Sequence, residues 1–519
     1  MKQIYILLAT FISLFINIKS TETTISFESA VDGYTLSEDK SVLTITGAGP
    51  FDLKGSVENK KIIVSSSCTL NLEDFSLINS GPLTPILISE NKAVEIALTS
   101  ESLLTDSATN ENEGTIYLQK GASLTISGTG TLKITPNKLM AINGTEGTSL
   151  TVNDEATIQI VSTLTTTGGI YMRKSITFNN AKIGYNAEKG IHHAIDSEGD
   201  IKIIKGQYNL VSGDGKGIQS EKNLYIGEEN GNNADLELSI TTNDEGIEAM
   251  GITLYSGSVS ISAGGDGINA ASAGDECGDN APRCSGNCVC YINIKGGMLY
   301  LTSDEDGLDA NGDIFISGGK VLVFAASDTE NQPIDQDGIL NITGGSIIAA
   351  GSSKMQGGVN AQTTQVAKIY SGSISKGDAL LVTDSNGNQV LNQESPKAAG
   401  YIYFNHASSF TFKINGNEAA LSEPTQNQQP RGQQGGQQGG PNNSDGMGPP
   451  PSDLNGPGNP RSDMNGPGGV PPSDLNGPGG FPPSDLNGKP EETDGDEKEG
   501  GSFLGFSKIL CVILVLIFN

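Results

Sequence analysis

Acidic residues recur beside a Gly-Ile or Gly-Leu step through the middle of this chain. Glu245, Asp266, Asp306 and Asp337 each stand directly before such a step, and Asp214 lies just ahead of the related Lys216-Gly217-Ile218. Two positions after each glycine a second polar group follows: Gln219, Glu248, Asn269 and Asp309. Stacked copies of this unit would turn the two positions into parallel ladders of oxygen-bearing side chains. Unit negative charges about 5 Å apart repel by roughly 1 kcal/mol in water and by several times more beside a low-dielectric surface. A cation held between turns relieves that repulsion. Carboxylate and amide oxygens select hard ions, and Ca²⁺ accepts irregular geometry that Mg²⁺ resists. The densest cluster is Asp304-Glu305-Asp306-Gly307-Leu308-Asp309, so calcium is expected there first. Glu245, Glu248, Asp266 and Asn269 would supply equivalent ligands on other turns. The alternative is that Asp-Gly is ordinary turn chemistry with solvated acids. That explains the acid before each glycine but not the second column.

The elements that must position these residues are strands. Three copies, "EGIEAMGITLYSGSVSISAGGD", "DGINA…YINIKGGMLYLTSDED" and "DGLDANGDIFISGGKVLVFAASD", repeat an acid, a short polar step, a strand, a glycine turn and another strand. A supersecondary unit of about 20–30 residues reads as a solenoid, because each copy needs its neighbours to bury its apolar face. Ile201/Ile203, Leu224/Ile226, Ile252/Leu254, Ile292/Ile294, Ile314/Ile316 and Leu340/Ile342 would point inward, one pair per turn. Leu236/Leu238, Val259/Ile261, Leu299/Leu301 and Val321/Val323 would fill a second strand. Shorter alternating strands such as "SVLTITG" and "SLTISGTGTLKIT" extend the pattern towards the N-terminus, and no stretch carries a helical period. The expected fold is therefore all-β, a parallel β-helix over residues 21–361, of about fifteen turns and roughly 70 Å. Residues 362–422 read as hairpin strands, with "SNGN" as a turn, capping the open end.

Composition fits a thin solenoid. Of 519 residues 35% are hydrophobic, 68 are Gly, only 5% are aromatic and none is Trp, which leaves few bulky side chains for a wide core. A net charge of −29 argues against nucleic acid and for cations. Residues 1–20 read as a secretory signal peptide. The apolar tail within 501–519, preceded by small residues at Gly500, Gly501 and Ser502, has the pattern of a GPI-attachment signal with Gly500 as the lipid site; a membrane anchor is the alternative. Residues 423–500, rich in Gln, Pro and Gly with a repeated "SDLNG", read as a disordered stalk. Cys277, Cys284, Cys288 and Cys290 crowd one insertion; in an oxidising compartment they point to two disulfides, since their spacing fits no familiar zinc pattern. Cys68 is then a lone buried thiol. Asn143, Asn341 and Asn442 occupy glycosylation sequons.

The steps Gly246-Ile247-Glu248-Ala249, Asp266-Gly267-Ile268-Asn269-Ala270 and Asp306-Gly307-Leu308-Asp309-Ala310, with "I-x-GG-x-[VL]", "LTITGAGPFDLKGS" and "ISGTGTLKIT", resemble a known family. It is the family of carbohydrate-binding parallel β-helix proteins typified by a thermophilic clostridial surface protein, itself similar to polysaccharide lyase family 9. The likeness runs from about Ser26 to Asn415. It implies a right-handed β-helix, bound calcium, and affinity for cellulose or acidic pectin-like polysaccharide without established cleavage. The cysteine insertion, stalk and anchor depart from it. With no Trp, aromatic platforms are not the evident mode, and Tyr171, Tyr208, Tyr225, Tyr255 and Tyr300 are expected in core or edge packing. Calcium shared between protein and uronate carboxylates would bridge two acidic partners. A lyase would need a Lys or Arg base beside the calcium. Lys202, Lys205, Lys216, Lys222, Lys295 and Lys320 are available, but none recurs in a fixed place beside the acids, and each reads as a surface lysine. His192, His193 and His406 read as solvated or structural. An adhesin with a protein partner is the third reading.

Overall fold

The computed structural model describes residues 23–27, 32–162, 164–271, 289–327, 331–352 and 359–424. The signal segment, the stalk, Asn442, Gly500, Cys277, Cys284 and Cys288 lie outside them.

Short strands form the stack, many with alternating burial, as in Tyr291–Ile294 and Asp313–Ile316, where every second residue is buried, and some buried throughout, as in Met140–Gly144. They wind into a parallel β-helix of about ten turns. Each full turn has three faces. The first carries Gly114–Leu118, Met140–Gly144, Gly168–Met172, Ile195–Ser197, Leu308–Ala310 and Ile334–Gln336. The second carries Ser123–Gly128, Ser149–Val152, Ser175–Phe178 and Asp200–Ile203, and the third Gly206–Ser212, Leu236–Thr242, Ser258–Ala263 and Met298–Ser303. The strands Ile218–Ile226 and Ile247–Leu254 pass from the first face into the second without a break. Fewer turns form than expected because the N-terminal ones are longer: Leu124 stacks on Leu150, Leu150 on Ile176, and Ile176 on Ile201.

Like residues meet across turns. Ile201, Leu224, Ile252, Ile292, Ile314 and Leu340 form one buried column, as the alternation predicted. On the third face Leu238 and Ile240, rather than Leu236 and Leu238, meet Val259 and Ile261. The slip is two residues, which a period of two leaves on the same side of the sheet. Cys68 is a free thiol within this core, and burial pushes it up to about 11. Cys290 is buried and disulfide-bonded.

The end of the stack is closed by antiparallel pairing. Ala361–Thr363 still joins the second face in parallel, whereas Ala399–His406 runs antiparallel to both Ser346–Gly351 and Val366–Ile374. A four-stranded sheet of Ala379–Asp384, Gln389–Glu394, Phe410–Ile414 and Asn417–Glu418 completes it. Phe404 and Phe412 of this region pack with Phe324 and Ile348, outward residues of the last turns, in a second apolar cluster. The stack's final edge is thereby covered. A single 3-10 turn, Asn233–Asp235, is the helical element among the described residues, none of whose helices is long and apolar enough to cross a membrane.

The glycine after each ladder acid is there for space. Gly217, Gly246, Gly267 and Gly307 have no positive φ, so turn conformation does not demand them. A Cβ on Gly246 would overlap Ile261 and lie 2.5 Å from the Gly267 carbonyl oxygen; one on Gly307 would overlap Val323 and the Pro333 carbonyl. Backbone and an aliphatic side chain of the third face close in at this corner. Gly246→Ala is expected to destabilise the protein by roughly 1–3 kcal/mol through overpacking. A denaturant midpoint equal to wild type would contradict this.

Candidate functional site

In-register pairing on the first face produces one outward column: Tyr117, Asn143, Tyr171, Asp196, Gln219, Glu248, Asn269, Asp309 and Asp335. Each follows an inward Ile or Leu. The column predicted from Gln219 to Asp309 is real, and it extends in both directions. Beside it runs the ladder of residues before the corner glycine, in which Gly217 donates to the Glu245 carbonyl, Gly246 to that of Asp266, Gly267 to that of Asp306, and Gly307 to that of Gln332.

The ladders are not uniformly anionic. Lys216 occupies the turn before Glu245 and bridges it at 3.0 Å while also pairing with Glu248. Its side chain is 19% exposed, so it is no surface lysine. Asn269 donates Nδ2 to Glu245 at 3.1 Å. Glu245 and Glu248, both expected as metal ligands, thus share one protein cation, which balances one of their two charges. Asp304 also departs from the cluster, because Lys397 of the closing segment pairs with it at 2.7 Å. Asp337-Gly338-Ile339 is a false copy of the repeat: Gly338 pairs with Gly312, at the corner entering the second face. Asp214 accepts from Asn243 at the surface instead of joining the ladder.

Asp306, Asp309 and Asp335 do converge, each offering an oxygen within 4.8 Å of the others. Asp335 was not singled out in the sequence because no glycine precedes Ile334; its position after an inward Ile was the available signal. Burial is the first cause that raises Asp266, Asp306 and Asp309, and neighbouring carboxylates add to it. Asp266 is pushed up to about 6, Asp306 to about 7 and Asp309 to about 8. Backbone N–H groups partly offset this: Asp306 N donates to Asp266 at 2.8 Å, and Gln332 N donates to Asp306. Oxygens bound to one Ca²⁺ at 2.3–2.6 Å can stand at most about 4.6–5.2 Å apart, so oxygens this near one another can share an ion. Asn269 Oδ1, one turn away, is buried without a hydrogen-bond partner. The donors are all oxygen and three of them are carboxylates, so the residues fit a hard cation.

Four turns nearer the N-terminus the same face holds a hollow of about 200 Å³, bordered by Tyr117, Asn143, Tyr171, Arg173, His193 and Asp196 among others. Tyr171 donates its hydroxyl to Glu198 at 2.7 Å, and the Arg173 guanidinium lies 5.6 Å from its ring. Tyr171 therefore lines a cavity, whereas Tyr208 is core as expected. Asn143 is 5% exposed, and its amide donates to the Glu113 carbonyl at 3.0 Å. In the folded chain it is a cavity wall rather than an open acceptor for a glycan; Asn341 lies half-buried on the second face. His193 accepts from the Lys216 N–H at 2.9 Å and is held down to about 4, mainly by burial, so it is neutral. His406 shares a hydrogen bond with Ser346 in the closing segment.

A model of the family described as carbohydrate-binding domain-containing protein matches this chain over residues 39–272 and 231–411. No curated protein matches it, and no solved structure does.

The raised acids fix a sign for stability against pH. A carboxyl whose folded pKa exceeds its unfolded value stabilises fully below the unfolded value, near 4, and loses that contribution as pH rises through the folded one. For Asp309 the window is about 4 to 8. His193, held low, acts in the opposite direction. The informative quantity is therefore the difference between variants in calcium-free buffer. Asp309→Asn is expected to match wild type near pH 4 and to exceed its unfolding midpoint near pH 8. Equal midpoints at both pH values would contradict the assignment.

Proposed function

The chain belongs to the family of carbohydrate-binding domain-containing proteins, and from that premise we propose that it is a non-catalytic receptor for acidic polysaccharide, dependent on calcium and displayed at a cell surface. The observation that carries the calcium dependence is the convergence of Asp306, Asp309 and Asp335 on one outward face. Three carboxylates supply fewer than the 6–8 oxygens that Ca²⁺ takes. The remaining positions are open to water or to the carboxylate and hydroxyl oxygens of a uronate polymer. A bound ion thus serves two purposes: it relieves repulsion within the ladder and lets a polymer of the same charge approach. The ligands would be these three aspartates, with Asn269 beside them.

Lyase chemistry would require a base beside the cation. Lys216, the basic residue of these ladders, stands with Glu248, two turns from Asp309, and its ammonium is occupied by two carboxylates. Display at a surface rests on the sequence pattern of the two ends. The carbohydrate-binding role is the family's own.

The test is retention of the protein on polygalacturonate and on cellulose, in calcium or in EDTA, while ultraviolet absorbance of unsaturated products is followed. Retention on polygalacturonate in calcium, lost in EDTA and in the Asp309→Asn/Asp335→Asn double variant, without new absorbance, is expected. Undiminished retention in EDTA would refute the calcium bridge, rising absorbance would make the protein a lyase, and no retention on either polymer would favour a protein-directed adhesin.

A further inference from the structure

The hollow beside Tyr117 and Tyr171 is remote from the carboxylate trio. Asp196 at its edge and Asp309 are four turns apart on one column, roughly 19 Å at the spacing of stacked strands. Its volume of about 200 Å³ compares with the roughly 150 Å³ in which a six-membered hydrocarbon ring is held in a protein interior. One hydroxylated six-membered ring therefore fits.

The walls specify what kind of ring. Tyr117 and Tyr171 stand on either side of Asn143 and both border the hollow, and an aromatic ring attracts the C–H face of a pyranose. Tyr171 is fixed before any ligand arrives, by its bond to Glu198 and by Arg173, which itself reaches Glu198 at 3.4 Å. Such preorganisation lowers the entropic cost of binding. Glu113 and Asp196 present carboxylates that accept hydrogen bonds from hydroxyls but repel a uronate. Arg173 is exposed enough to donate to ring or hydroxyl oxygens from the rim. Acceptors, one donor fork and two aromatic faces together suit a neutral sugar.

We infer that this hollow is a calcium-independent subsite for one neutral pyranose residue of a polysaccharide. The inference rests on the carbohydrate-binding reading but not on calcium, and it gives the first face two zones: a neutral-sugar zone near Tyr117 and Tyr171, and a cation zone near Asp309. A polymer lying along the face could engage both.

The experiment is isothermal titration of the full chain in EDTA with neutral gluco-, manno- and galacto-oligosaccharides, alongside an unfolding midpoint for each variant. At least one neutral series is expected to bind without calcium. Tyr117→Ala should weaken it about tenfold. Tyr117→Phe, which keeps the ring, should recover most of that loss. If Tyr117→Ala does not fold, Arg173→Gln at an exposed side chain serves in its place and should also weaken binding. Absence of binding to every neutral series in EDTA would overturn the inference, as would wild-type affinity in the folded variant. Loss of calcium-dependent polygalacturonate binding would leave it standing, so the two readings fail separately.

Discussion

In-register hydrogen bonding between successive turns is the constraint from which the rest follows. Because Ile218 pairs with Ile247, Ile247 with Ile268 and Ile268 with Leu308, every position in a turn has a counterpart roughly 4.8 Å above and below it. An inward position becomes an aliphatic column, an outward one a ladder. The backbone cannot hold a single acid on such a face without bringing the next turn's residue beside it. The chemistry of the face is thus set by the succession of side chains along one column.

That column changes character along its length. It carries Tyr117, Asn143 and Tyr171, then Asp196, Gln219 and the Glu248 paired with Lys216, and further on Asp309 and Asp335. Lys216 and Lys397 pair with neighbouring acids, and Asn269 donates a hydrogen bond to Glu245. Three carboxylates stand together, and burial and neighbouring acids raise Asp306 and Asp309 among them. Repulsion is concentrated at one place, where a hard cation would stabilise the ladder most.

Much of this was legible in the sequence. Period-two alternation identified the buried pairs, because a strand with one face in a core must alternate. The second ladder was visible in Glu248, Asn269 and Asp309. Three features were hidden for distinct reasons. Asp337 carries the right tripeptide but sits at another corner, since a three-residue motif does not encode register. Lys216 looks solvent-bound in isolation, and only stacking puts it against two acids. Tyr117 and Asp335 lack the glycine that marked the repeat; what they share with the ladder is the inward Ile before them, a signal that gains meaning once the turns are aligned. The corner glycines were read as turn residues, whereas the approach of the third face explains them.

The proposed calcium site at Asp306, Asp309 and Asp335 depends on stacking, which puts the Lys216 ammonium rather than an ion between Glu245 and Glu248. Anomalous scattering from crystals grown with calcium and soaked in a lanthanide tests it most directly. The account predicts a peak coordinated by Asp306, Asp309 and Asp335, and none between Glu245 and Glu248, where the Lys216 ammonium already stands. A peak at the Lys216 pair, or an ordered trio with no peak, would contradict it.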